Sequence, residues 1–191
     1  MLIASNKQPC ENPYDTLVVG VGEMAVSANS RVVLRTFALG SCVGVIAYDS
    51  ARKVGGLWHL MLPSSRNAEA RAVEQPAKYA DTGLPVFLTK LKQAGAFIPS
   101  TELFLAGGIR SNPDSMFNVG EDNIEAIRHE LGKHGIPVLA EELGGRDPRT
   151  LSLTIDNGAL TIRHQGRDKT FSMSPLPTKL CPYLRPQLSL I

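Results

Sequence analysis

The sequence predicts an α/β (α+β) domain, a layered sandwich in which a mixed central β-sheet packs against helices. Three observations lead there. Short runs rich in Val, Ile and Leu recur through the first third of the chain, separated by Gly, Asn, Asp and Ser. Two stretches with apolar residues at helical spacing follow, Tyr79 to Ala94 and Asp122 to His134, with a short apolar run between them. Two further strand-like runs then flank Asp156-Asn157-Gly158, a hairpin turn signal.

The length of 191 residues fits one domain with a sizeable core. Residues 1–15 are polar, carry two prolines and are expected to be a loose arm. Residues 16–165 hold the patterned segments and are expected to form a single domain. From 166 to 191 the chain is polar and then proline-rich, and is expected to be a tail along the surface or toward a partner. The balance of 20 basic against 18 acidic residues gives no reason to expect nucleic acid as a partner. No apolar run approaches the length of a membrane span, and Met1 to Asn12 lack the basic start and apolar stretch of a secretory signal. The expectation is a cytoplasmic protein that does not insert into membranes.

In chain order, Thr16 to Val26 reads as one strand in which Gly20 and Gly22 mark a bulge. Ala28-Asn29-Ser30 is a turn where a phosphate loop would need a helix. Arg31 to Phe37, Cys42 to Tyr48 and Gly55 to Leu62 are the next strands. Leu57 to Leu62 is apolar on both faces, as in the middle of a sheet, and Pro63 ends it. Ser64 to Ala77 is polar without periodicity and reads as a loop, either ordinary surface or a substrate-binding lid that starts with Ser64, Ser65 and Arg66. The first helix is expected to start near Thr82, because Pro85 is tolerated in a first turn, with Asp81 or Thr82 as cap. Glu102 to Gly107 is a short buried strand, after which a polar loop runs to Gly120. The second helix buries Ile124, Ile127 and Leu131, and Asp122 or Asn123 is its expected cap. Ile136 to Glu141 is a strand.

Chemistry concentrates in Thr36 to Val43 and Gly55 to Pro63. Cys42 follows a Gly-Ser pair, and His59 comes seventeen positions later within an apolar run. An imidazole beside a thiol lowers its pKa and can pass its proton to a leaving group. The same residues have a structural reading as well, an inert buried cysteine and a core histidine with a hydrogen-bonding neighbour. Gly40 allows a sharp turn before Cys42, and the N–H groups of Ser41 and Cys42 would lie free at that turn to hold an oxyanion. Thr36 offers an oxygen that would orient the second nitrogen of His59. Trp58 points to the opposite face from His59, toward core. The odd count of widely spaced cysteines, Cys10, Cys42 and Cys181, argues against a disulfide framework and a C-x-x-C zinc site. His129 and His134 are poorly spaced to share a metal, and no metal or cofactor is expected.

Leu39-Gly-Ser-Cys42-Val-Gly-Val-Ile-Ala-Tyr-Asp49 together with His59-Leu-Met-Leu-Pro63 resembles the chemoreceptor glutamine deamidase family, CheD. The resemblance implies that Cys42 is the nucleophile, His59 the base and Thr36 the third member of a triad. It implies a protein-glutamine amidase that works through a thioester, acts on the cytoplasmic helices of chemoreceptors and so regulates chemotaxis. It further implies a sandwich similar to the catalytic domain of the cytotoxic necrotizing factors, a CheC-type phosphatase as partner, and the hydrolysis of receptor methyl esters found in some relatives. The family pattern N-x-G-x-R-N stands here as Asn118-Val-Gly-Glu-Asp122-Asn123, with Asp in place of Arg. The alternative reading is a non-catalytic adaptor that binds chemoreceptors or the phosphatase, and the thiol chemistry alone also suits a cysteine protease or a transglutaminase.

Overall fold

The computed structural model describes residues 14–110 and 118–173. The expectations for the first thirteen residues, for Cys10 and Cys181, for the loop between Arg110 and Asn118 and for the chain beyond Met173 lie outside the described residues. Among the described residues the strands form two five-stranded sheets. The first orders β1 (Asp15–Val18), β3 (Val32–Leu39), β8 (Arg149–Thr154), β9 (Ala159–His164) and β10 (Arg167–Ser172). The second orders β2 (Met24–Ser27), β5 (Val54–Leu60), β4 (Val43–Asp49), β6 (Glu102–Gly107) and β7 (Val138–Leu143). Each is mixed, because β1–β3 and β6–β7 are parallel while the other pairs are antiparallel.

Side-chain alternation in β4 and β5 builds two cores from one sheet. Val43, Val45, Ala47, Trp58 and Leu60 point to the helices α2 (Ala80–Gln93) and α3 (Val119–Lys133), where they meet Leu84, Phe87, Leu91, Ile127 and Leu131. Ile46, Tyr48 and Leu57 point the other way and meet Leu34, Leu39, Leu151 and Leu153 of the first sheet. Every residue of β4 and β5 is buried, which explains their unbroken apolar runs. The expected layered α+β sandwich is therefore present, in the order sheet, sheet, helices.

Four local expectations change. Thr16 to Val26 is two strands, one in each sheet. The chain turns between them at Val21-Gly22, where Gly22 adopts φ 71. Ser64 to Ala77 holds a short helix, α1 (Glu69–Glu74), which buries Ala72, and a 3-10 turn at Pro76–Lys78. Helix α2 starts at Ala80, so Pro85 lies inside it, and neither Asp81 nor Thr82 is its N-cap. Helix α3 starts earlier than expected, capped by the Asn118 side chain, which accepts from the Glu121 N–H. Strand also continues past residue 165. Strand β10 adds an edge to the first sheet and pairs with β9 along its whole length, closing Arg163 onto Asp168 at 2.7 Å. An edge strand tolerates the charged sequence Arg-Asp-Lys-Thr-Phe-Ser, which reads as tail.

Candidate active site

Thr36 and His59 meet between the sheets. His59 lies on the face of β5 that looks at the first sheet, and Thr36 points inward from β3. The Thr36 Oγ1 is 2.7 Å from His59 Nδ1 and 2.8 Å from the Val19 carbonyl oxygen. A carbonyl can only accept, and a hydroxyl has one proton. Both contacts are satisfied when Thr36 donates to Val19 and His59 Nδ1–H donates to Thr36. That fixes the tautomer and leaves the lone pair on Nε2. Trp58, one residue earlier, points the opposite way, donates Nε1–H to the Ala77 carbonyl at 2.6 Å and packs on Phe87.

Cys42 enters from the adjoining strand. In the β4–β5 register Val43 faces Leu60 and Gly44 faces His59. One step beyond that last rung, Cys42 packs against the core between the sheets, the side that His59 also faces, and no hydrogen bond joins the two among the described residues. Cys42 is only partly buried, whereas Thr36 and His59 are 0% and 2% exposed. Cys42 is therefore reachable from solvent in part, while the imidazole lies inside.

The loop before Cys42 is shaped differently from the expectation. Gly40 has no positive φ, and the space around its α-carbon is open. The left-handed residue is Ala38, φ 51, inside an irregularity of β3 between Thr36 and Leu39. The loop is then held from β6, with Ile109 N–H donating to Gly40 O and Gly108 N–H to Cys42 O, both at 2.8 Å. Gly107, φ 109, packs its α-carbon against that same Cys42 oxygen. Among the described residues the N–H groups of Ser41 and Cys42 have no acceptor.

Burial pushes the Cys42 thiol above its ordinary pKa and lowers His59 from 6.5 to about 4. The resting pair is thus a neutral thiol and a neutral imidazole near pH 7, not the charged pair that a lowered thiol pKa would give. Ser64 and Ser65 do not hydrogen-bond to Cys42 or His59 among the described residues. They are pinned to the first turn of α2, where Asp81 accepts from both hydroxyls (3.3 and 2.9 Å) and from the Ser65 N–H. Arg66 is exposed, and its N–H donates to the Ser64 hydroxyl at 3.2 Å. Among the described residues no group of three or more His, Cys, Asp or Glu side chains is placed to hold a metal ion.

The sequence reading takes one residue beside the site as a helix cap and as the end of a family pattern, and gives it no part in the site. Asn123, fully buried on α3, donates through Nδ2 to Ser41 O and to Met61 O, each at 3.0 Å.

A partly buried cysteine, a buried imidazole and a hydroxyl hydrogen-bonded to it match what a cysteine-hydrolase type of site requires. The chain belongs to the CheD family: the family model "CheD chemotactic sensory transduction" matches residues 61–164, over half of the chain. Its relatives agree. The chain is 41% identical over 152 residues to a probable chemoreceptor glutamine deamidase CheD of Desulforamulus reducens, covering 78% of this chain and 90% of that one. It is 40% identical over 159 residues to the chemoreceptor glutamine deamidase CheD of Halalkalibacterium halodurans, covering 80% and 96%. It is 38% identical over 149 residues to the one of Thermotoga maritima, covering 78% and 92%. The segment matched by the family model begins just after His59, so it contains none of Thr36, Cys42 and His59. No helix among the described residues is long and apolar enough to cross a membrane.

Proposed function

We propose that this protein is a glutamine side-chain amidase acting on chemoreceptors, with Cys42 as nucleophile, His59 as general base and acid, and Thr36 as the group that orients His59. The names of its relatives supply the substrate class. The observation that carries the assignment of roles is the tautomer. Thr36, committed to Val19 O, holds the proton on His59 Nδ1 and aims a basic Nε2 along the face that Cys42 shares.

Because thiol and imidazole are both neutral at rest, the proton moves as the bond forms. His59 Nε2 takes the thiol proton while Cys42 Sγ adds to the side-chain carboxamide carbon. The Ser41 and Cys42 N–H groups receive the oxyanion. His59 returns the proton to the departing nitrogen, ammonia leaves, and a thioester to Cys42 remains. Nε2 then draws a proton from water, which attacks the thioester and releases glutamate and the free thiol. The same acyl-enzyme would accept a methyl ester, with methanol leaving. Ser64, Ser65 and Arg66, at the exit of β5, are assigned to contact with the receptor helix, and a CheC-type phosphatase is proposed as a second partner for the same face. The setting is the cytoplasm, where receptor signalling helices lie.

Incubation of the protein with receptor cytoplasmic fragments, beside a Cys42→Ala control, tests this. Ammonia release and conversion of particular glutamines to glutamates by the wild type alone support it. Equal binding by both forms with every glutamine unchanged identifies an adaptor instead.

A further inference from the structure

Strands β4 and β5 part company at the site. Val43 and Leu60 form their last rung. The N–H and C=O of His59 serve β2, through Gly22 and Glu23, so those of Leu60 serve β4. A ladder continued by two residues would join Ser41 to Leu62. Leu62 has turned away: its N–H donates to Lys78 O and its C=O accepts from Ala80 N–H. The ladder therefore ends at Val43, the residue after Cys42, on one strand, and at Leu60, the residue after His59, on the other.

Asn123 fills the missing rung. Its two amide protons go to Ser41 O and Met61 O, one on each parting strand. One carbonyl belongs to the residue before the proposed nucleophile, the other to the second residue after the proposed base. Oδ1 of the same side chain is buried and has no partner among the described residues. Leaving a buried acceptor empty costs stability, and the two hydrogen bonds to Ser41 O and Met61 O offset that cost. Leu would fill the gap but leave both carbonyls without this donor.

We propose that Asn123 is a positioning residue that fixes the separation of the Cys42 loop from the His59 strand by clamping their carbonyls across the split. The inference rests on the amidase reading for its catalytic consequence, but not for its geometry. The clamp is rigid because α3 is itself packed in the core through Ile127 and Leu131. Without it, Ser41 loses its only described fastening to the β5 side, and Nε2 and Sγ lose a fixed approach. Productive geometry tolerates little displacement, and a misplacement of about 1 Å can cost on the order of a hundredfold in rate.

The test compares Asn123→Leu and Asn123→Asp with the wild type, using the full chain, well below each melting temperature. Both variants are expected to lose at least tenfold in kcat per folded molecule with little change in KM, and to alter the rate and pH profile of Cys42 alkylation by iodoacetamide. Retained kcat and an unchanged alkylation profile in the folded Leu variant would overturn the proposal. A wild type that never releases ammonia would refute the amidase reading instead, and the alkylation profile would still decide for or against the clamp. Should both variants fail to fold, the wild-type Asn123 side-chain amide protons decide by NMR. Two inequivalent, slowly exchanging protons are expected, and rapid exchange of either would refute the clamp.

Discussion

Thr36 Oγ1 lies 2.7 Å from His59 Nδ1, and the one proton of that hydroxyl is already committed to Val19 O at 2.8 Å. This pair sets which nitrogen of His59 is free to act. Thr36→Val keeps the shape and removes the hydroxyl, leaving Nδ1 and Val19 O without their partner. The expected result is a loss of about ten- to a hundredfold in kcat, smaller than for Cys42→Ala, with stability lowered by about 1–3 kcal/mol. Steady-state kinetics and thermal melts of the two variants check it.

The low pKa of His59, about 4, places the acid limb of kcat/KM well below the 6.5 of an ordinary imidazole. The protein is expected to keep most of its activity at pH 5.5. Stability runs in the same direction. The unfolded chain takes up the proton as pH falls through 6.5, while the folded chain does so only near 4. Stability from this group is thus present above 6.5 and lost between 6.5 and 4, on the order of 2 kcal/mol after allowance for partial screening by solvent. Urea unfolding at pH 7 and pH 5, with His59→Ala as control, reads it out.

The thiol lies on the other side of neutrality. Burial raises the Cys42 pKa, so alkylation by iodoacetamide is expected to be slow at pH 7 and to accelerate into alkaline pH. A maximal alkylation rate already at pH 6 would instead indicate a charged thiolate–imidazolium pair.

Neighbours on β5 should respond in opposite ways. Trp58 is fully buried, packs 5.9 Å from the Phe87 ring and leaves Gly83 no room for a side chain. Trp58→Ala is expected to cost about 3–5 kcal/mol, a large part of a domain's stability. His59→Ala is expected to leave the fold intact and remove activity. Melting temperatures and near-UV spectra of the two proteins separate these effects.

Gly107 is the support under Cys42. At φ 109 and against the Cys42 carbonyl, it has no space for a methyl group. Gly107→Ala is expected to cost about 2 kcal/mol or more and to lower activity through displacement of Cys42, whereas Gly40→Ala, in open space, should fold normally.

The legible part of this molecule is what short-range patterning encodes. β4 and β5 are visible because strands buried on both faces are apolar throughout, and the turn at Asp156-Asn157-Gly158 because its residue types are specific. Thr36, Cys42 and His59 are visible because each sits in a short motif, and period 2 correctly separates His59 from Trp58. The division of Thr16 to Val26 between two sheets is not visible, since a glycine pair marks a bulge and a turn alike. Helix α1 lacks periodicity because it buries only Ala72. The Asn123 clamp joins residues 82 and 62 positions away, which no local signal carries. The turn before Cys42 falls on Ala38 instead of Gly40 because the irregularity of β3 bends the chain earlier. The direction of the Cys42 and His59 shifts depends on burial, which the sequence does not give.

The most direct measurement is capture of the acyl-enzyme. A reaction with a receptor fragment is quenched in acid and digested, and Cys42 peptides are examined by mass spectrometry. The account predicts an adduct whose mass is the sum of the Cys42 peptide and a glutamine-bearing receptor peptide less one ammonia, absent from Cys42→Ala and sensitive to hydroxylamine. Conversion of glutamine to glutamate at an undiminished rate in Cys42→Ala, with no adduct at Cys42 in the wild type, would contradict it.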